Sequence, residues 1–211
     1  MKLRLSIAAA LIALVLWIDQ MIKIAVKTHL CLYDRIHVTD WCYILFTENE
    51  GMAFGMSFVG TALLTLFRLA AVVVFVVLLV KFCRRRYPIG FVVCLSLVIA
   101  GAFGNIIDNC LYGLIFTESP AGGMLFSEPA KMVAIGQGYA PFLHGRVVDM
   151  FYFPFFTFPE SWPLVGGKVF FGAIFNFADA AISCGAVAML LFYYRLLARP
   201  KCTADTIETE E

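Results

Sequence analysis

Four apolar runs, each close to the length a helix needs to cross a bilayer, constrain this chain more than any other feature. They cover about residues 5–26, 60–82, 89–112 and 171–194. About 20 apolar residues suffice to span the hydrocarbon core, and in the absence of water a helix satisfies every backbone polar group within its own segment. The 211 residues are 62% apolar with a mean hydropathy of +0.87, too hydrophobic for an ordinary soluble domain. The expected fold class is therefore a mainly α membrane protein, a single domain over 1–211 with four transmembrane helices.

The net charge of +1 points to no nucleic-acid partner, but the positions of the charges are informative. Lys2 and Arg4 precede the first run, Lys81, Arg84, Arg85 and Arg86 follow the second, and Arg195, Arg199 and Lys201 follow the fourth. By the positive-inside rule these three segments, and with them both termini, are cytoplasmic. The first run begins like a secretory signal peptide. No small-x-small cleavage site follows, however, and apolar character continues past Asp19, so it reads as a retained helix.

The segments between the runs are then extracytoplasmic. Residues 28–57 contain two alternating stretches, Ile36–Val38 and Trp41–Thr47, that read as a small surface sheet. Residues 113–170 form a long loop with an aromatic stretch, Phe151 to Phe158, suited to the bilayer interface. Residues 203–211, acidic at the end, read as a disordered tail. His37 is a lone strand histidine, more simply exposed than functional. Seven cysteines show no metal-ligand spacing; Cys94, Cys110 and Cys184 read as small core residues, and nothing requires Cys31 and Cys42 to pair. No metal and no cofactor are expected.

Ionisable residues inside a membrane segment are costly and mark function by default. Asn176, Asp179 and Ser183 fall at i, i+3 and i+7, one stripe of the last run if a helix continues through them. Asp149, in Gly145-Arg146-Val147-Val148-Asp149, brings a second carboxylate before that run. Two carboxylates at one water-accessible spot suit acid–base proteolysis. Gly101, Asn105 and Asp108 share a face of the third run with Gly104 beside them, and small residues there admit a close neighbour. Asp108 and Asp179 fall in the same leaflet because the two runs are antiparallel. Asp19 and Lys23, at i and i+4, form either a structural ion pair or a substrate contact. Arg68, alone in the second run, either snorkels outward or faces the polar site. A small transporter or proton channel carrying ions on these carboxylates is the competing reading, although no repeat symmetry is visible. A serine/lysine peptidase lacks a plausibly placed Lys.

Five ordered motifs narrow these choices. Asp19-Gln20-x-x-Lys23, Phe46-Thr47-x-Asn49-x-Gly51-x-Ala53-Phe54, Gly101-x-x-Gly104-Asn105-x-x-Asp108, Val147-Val148-Asp149 and Phe175-Asn176-x-Ala178-Asp179 together resemble the bacterial lipoprotein signal peptidase (signal peptidase II) family. The resemblance runs from about residue 15 to residue 185. It implies an inner-membrane aspartyl endopeptidase with its site toward the periplasm. Its partners would be a diacylglyceryl-modified prolipoprotein, cut just before the lipidated cysteine, and membrane phospholipid, and the enzyme would act as a monomer. Carried over by motif, Asp149 and Asp179 are the catalytic pair, and Asn49, Gly51, Gly104, Asn105, Asp108, Asn176 and Ala178 line or support the site.

The chain departs from that pattern twice. Asn109 stands where the family usually has Arg, leaving Arg68 or Arg146 as the candidate replacement. The 41 residues from Asp108 to Asp149 exceed the spacing expected of the family, and the extra length, roughly Thr117–Leu143, reads as a cover over the site. The sequence does not say which Asp is the base.

Overall fold

The structure is a computed structural model and describes residues 1–49, 61–123 and 127–198. Four long helices form the body: α1 (Lys2–His29), α2 (Thr61–Arg84), α3 (Ile89–Ile107) and α5 (Phe177–Ala198), with a short α4 (Gly113–Ile115). The four long helices are apolar enough to cross a membrane. Large apolar side chains such as Phe67, Val74 and Val77 on α2 and Leu190, Leu191 and Phe192 on α5 point outward, as lipid-facing residues do.

The central helix is α3, packed against α1, α2 and α5. Phe91, Val92, Leu95 and Ile99 on α3 fill the middle with Val72 and Leu79 of α2 and Ala8 of α1. Two glycines set how closely α5 and α1 approach α3. A Cβ on Gly101 would stand 2.2 Å from the Ala178 carbonyl oxygen, and one on Gly104 would stand 2.7 Å from an Asp19 carboxylate oxygen. A larger residue at Gly101 would pry the start of α5 away from α3, and one at Gly104 would displace Asp19 of α1.

At one end of the bundle lies a four-stranded antiparallel sheet, ordered β1 (Arg35–Thr39), β2 (Cys42–Asn49), β3 (Val147–Tyr152), β6 (Ile174–Phe175). Phe46, Val148 and Met150 seal it onto Tyr112 and Phe116 near the end of the third span. An extra residue on β2 between Ile44 and Thr47 shifts the register, so that Thr47 pairs with Asp149. A second, two-stranded sheet joins β4 (Phe156–Thr157) to β5 (Val169–Phe170). At the opposite end of the bundle lie Arg4, Arg84, Arg85, Arg86 and Arg195, with the Arg4 guanidinium donating to the Tyr87 carbonyl at 3.0 Å.

Several expected boundaries move. The sheet is not confined to 28–57, because the long connection supplies β3 and the approach to the last helix supplies β6. The last helix starts at Phe177 rather than near 171, so Asn176 precedes it and does not share a helical stripe with Asp179; Ser183 is exposed. The third span continues beyond 112 through a π turn (Asp108–Tyr112) into α4. The segment expected to cover the site is anchored beside the sheet end of α1, where Leu32 bridges to Ala121, and is tied back on itself where Phe116 bridges to Met132. Cys184 is exposed rather than core, and Cys31 and Cys42 are free thiols. Gly51, Ala53, Phe54 and the acidic end, 203–211, lie outside the described residues.

Candidate active site

The site is built where α1, α3 and α5 meet the sheet. The buried stripe of α1 is Ala8, Val15, Asp19, Lys23 and Lys27, so an apolar face turns polar over its last three turns. The Lys23 ammonium, fully buried, reaches Asp19 at 3.0 Å, Asp108 at 2.8 Å and the Asn105 side-chain oxygen at 2.8 Å. A buried ammonium has three donors and no acceptor, and here every donor has a partner. Gln20 closes the cluster, donating to Asp19 and Asp108 and accepting from the Tyr112 hydroxyl at 3.1 Å. Asp19 thus sits inside a structural ion cluster, with no accessible oxygen left for a substrate.

That cluster orients the next layer. Asn105 accepts from Lys23 with Oδ1, which fixes its Nδ2 on Asp179 Oδ1 at 2.8 Å. Asn176 caps α5: its Oδ1 accepts from the Asp179 N–H at 2.9 Å, while Asp179 Oδ2 lies 3.4 Å from the Asn176 N–H. This is the reciprocal geometry of a capping box. Because a backbone N–H can only donate, the Asn176 amide must point its Nδ2 the other way, to Asp149 Oδ1 at 2.7 Å. The same Nδ2 also lies 3.2 Å from Asn105 Oδ1. Two amides therefore join Asp149 to Asp179, and unambiguous donors set both amide orientations. Asp19 Oδ1 accepts the Ala178 N–H at 2.9 Å, filling another open donor in the first turn of α5.

The two carboxylates have different surroundings. Asp149 is 5% exposed on β3, and burial, followed by the nearby Asp179 charge, pushes its carboxyl up to about 7 against the Asn176 hydrogen bond. Asp179 is half-buried in the first turn of α5, where the helix dipole favours an anion, and both its oxygens face N–H donors.

The π turn directs two consecutive buried side chains to different tasks. Asp108 points to Lys23 and Gln20 and lies 3.4 Å from the Val148 N–H, beside Asp149 on β3. Asn109 donates to the Gly145 carbonyl at 2.7 Å and accepts from Arg68 Nη1 at 2.8 Å. Of the two arginines suggested as replacements at Asn109, Arg68 is the one that meets it. Its guanidinium lies within electrostatic reach of Asp179, Asp149 and Asp108. Arg146 pairs with Glu48 at 3.3 Å and with Glu118. Burial works against its charge, but these partners hold its pKa above the ordinary value.

Glu48 is the centre of a second polar cluster that the sequence reading missed. It also takes the buried Lys27 ammonium and the Ser119 hydroxyl, and Ser119 accepts from Lys27 at 2.8 Å. The extra segment is thereby pinned to α1 and β2. The available signal was the continuation of the Asp19–Lys23 spacing by four more residues to Lys27. A cavity of about 600 Å3 adjoins both groups, lined by Leu32, Tyr33, Thr47, Glu48, Asn49, Arg146, Asp149 and Ile174. Asn49 is therefore on the wall that carries Asp149.

A family described as signal peptidase (SPase) II matches residues 11–195. This chain belongs to the signal peptidase II family. A lipoprotein signal peptidase of Porphyromonas gingivalis is 45% identical over 195 residues, covering 90% of this chain and 84% of that protein. One of Chlorobium phaeobacteroides is 30% identical over 189 residues, covering 89% and 95%. Two solved structures, both titled as bacterial membrane enzymes, share the fold. One has a TM-score of 0.58 at 20% identity, covering 94% of this chain and 93% of its own. The other has a TM-score of 0.57 at 21% identity, covering 94% and 95%. The protein is thus a multi-pass membrane peptidase, and the transporter reading has no support.

Proposed function

We propose that this member of the family is an aspartyl endopeptidase that removes the signal peptide from diacylglyceryl-modified prolipoproteins, cutting just before the lipidated cysteine. The observation that carries the aspartyl assignment is the amide bridge from Asp149 through Asn176 and Asn105 to Asp179. Acid–base hydrolysis by such a pair needs one member protonated and the other ionised. The proton belongs on Asp149, which is buried and accepts one amide donor, and the charge on Asp179, which has donors at both oxygens and a helix N-terminus behind it.

The reaction then follows from these states. Asp179 takes a proton from water as the water oxygen bonds to the scissile carbonyl carbon, while Asp149 gives its proton to the carbonyl oxygen. The resulting diol collapses as Asp149 recovers a proton from one hydroxyl and Asp179 passes its own to the departing nitrogen. The C–N bond breaks, an acid and an amine leave, and both carboxyls regain their starting states. Arg68, near both carboxylates, steadies the negative charge of the pair; Asn105, Asn176 and Asp108 hold the geometry.

The orientation proposed is both termini in the cytoplasm and the sheet end at the outer, periplasmic face. The basic end of the bundle supports this, and a lipid-borne substrate would then reach the pair laterally from the outer leaflet. All the groups used come from one chain, consistent with a monomer. The test is cleavage of lipid-modified precursor by purified Asp149→Asn, Asp179→Asn and the double variant, with substrate binding and melting measured alongside. Each single change should abolish nearly all turnover but leave binding, and the double should be little worse, because groups acting as a unit are not additive. Near-normal turnover in either single variant would remove that Asp from the mechanism.

A further inference from the structure

Between the two proposed catalytic residues the chain makes an aromatic hairpin that the chemistry does not use. It leaves β3 after Tyr152, turns through β4 and β5, and returns at β6 directly into α5. Its rings form a continuous slab. Trp41, from the turn between β1 and β2, stacks on Phe153 and Phe155, each at 6.0 Å. Phe155 and Phe153 meet Phe171, and Phe156 stacks on Phe170 at 4.8 Å.

Despite this mutual packing the slab stays open on one side. Trp41, Phe155, Phe156, Trp162, Phe170 and Phe171 are all exposed, and Leu164 at the tip is 91% exposed. Leu164 and Phe171 hold φ values of 71° and 59°, a left-handed backbone that bulky residues rarely adopt. So large a contiguous apolar face on a single chain marks a contact surface. Two features specify its occupant. The face is continuous in the chain with α5, whose own outward side chains are membrane-facing. Its composition, Trp and Phe with Lys168 and Glu160 among them, is that of the headgroup level and not of the bilayer centre.

We propose that this hairpin, with Trp41, is a platform seated in the headgroup–acyl boundary of the phospholipid leaflet at the sheet end of the bundle. Because it is spliced between Asp149 and Asp179, its seating fixes the height of both carboxylates relative to the lipid in which a substrate is anchored. Only this last consequence rests on the peptidase reading; the depth of the hairpin does not.

The chain's three tryptophans, Trp17, Trp41 and Trp162, supply the probe. The Trp17→Phe/Trp41→Phe variant keeps Trp162 as the sole emitter and is placed in phosphatidylcholine vesicles carrying bromine at shallow or deep acyl positions. Shallow bromine should quench Trp162 more than deep bromine, and iodide in the water should quench it poorly. Efficient iodide quenching without a bromolipid effect would make the tip aqueous and overturn the proposal. Protection from both quenchers would assign the face to a second copy of the chain and overturn it equally. As a functional companion, Trp162→Lys/Leu164→Lys should raise KM severalfold for precursor in vesicles while leaving kcat, and KM in detergent micelles, unchanged. An unchanged vesicle KM would remove the coupling to substrate height. Loss of kcat in micelles as well would show damage to the fold instead and overturn that coupling too.

Discussion

The side chains of Asn105 and Asn176 meet at 3.2 Å, although one lies near the end of α3 and the other caps the start of α5. Each then reaches a different carboxylate, so a single amide pair carries geometry from Lys23 to both Asp149 and Asp179. Asn176 has a second duty as the cap of α5. The two duties separate by substitution.

Asn176→Ala should lose both, costing about 1 kcal/mol for the cap and most of the turnover. Asn176→Asp keeps a capping oxygen but replaces the donor facing Asp149 with another acceptor. Its melting temperature should stay closer to that of the unmodified protein while turnover falls as far as in the alanine variant. Measuring both quantities in micelles decides the matter. Activity that simply tracks stability in the two variants would leave Asn176 as a cap alone.

Lys23 holds the cluster that orients Asn105. Lys23→Met leaves Asp19 and Asp108 buried without their cation, and breaking a buried pair this way costs about 3–5 kcal/mol. Asp108→Ala should be comparably harmful, because Lys23, Gln20 and the Val148 N–H all lose a partner. Asp40→Ala, on an exposed residue whose partner His37 is also exposed, is the control and should leave melting unchanged. Thermal melts of the three variants test this; a near-normal Lys23→Met would mean the cluster carries little of the stability.

Arg68 reaches Asn109 across two spans at 2.8 Å. Arg68→Met should cost about 1.5–3 kcal/mol, the worth of a hydrogen bond to a charged group, which is roughly ten- to a hundredfold in kcat/KM. If the cation itself matters, moving it should restore function, so Arg68→Met/Asn109→Arg should recover much of the loss. Failure of the double variant to exceed the single, at equal stability, would show that Arg68 acts only through its packing.

The spans were legible because each is a near-continuous apolar run, and Asp19, Lys23, Asn105, Asp108, Asp149, Asn176 and Asp179 stood out as polar letters around them. The structure brings them together. Strand β3 was not legible: Val147–Tyr152 is six residues long and shows no apolar/polar alternation, and its partner β2 lies about a hundred residues earlier. The start of α5 was misplaced because an apolar run hides a cap. Asn176 stands among Phe and Ala, and only the hydrogen bond to the Asp179 N–H marks the boundary. The contact of Arg68 with Asn109 depends on how two spans pack, which neither span's own periodicity encodes.

The last prediction concerns pH. With its carboxyl pushed up to about 7, Asp149 is protonated at mildly acidic pH, where an ordinary Asp is already ionised. If it gives a proton to the scissile carbonyl while Asp179 stays ionised, activity should be lost as pH rises through about 7. Above that, kcat/KM should fall about tenfold per pH unit, the slope for loss of one required proton. Stability should move the same way. The folded state holds this proton more tightly than the unfolded chain, so its contribution is full below the unfolded value, near 3.8, and is lost as pH climbs through about 7. Asp149→Asn cannot titrate, so its melting temperature should vary less between those limits. A pH profile of kcat/KM for the unmodified enzyme, with melting curves for both proteins, is the check. Activity that instead rises through pH 7, or an equal pH dependence of melting in Asp149→Asn, would mean that Asp149 is not the proton donor.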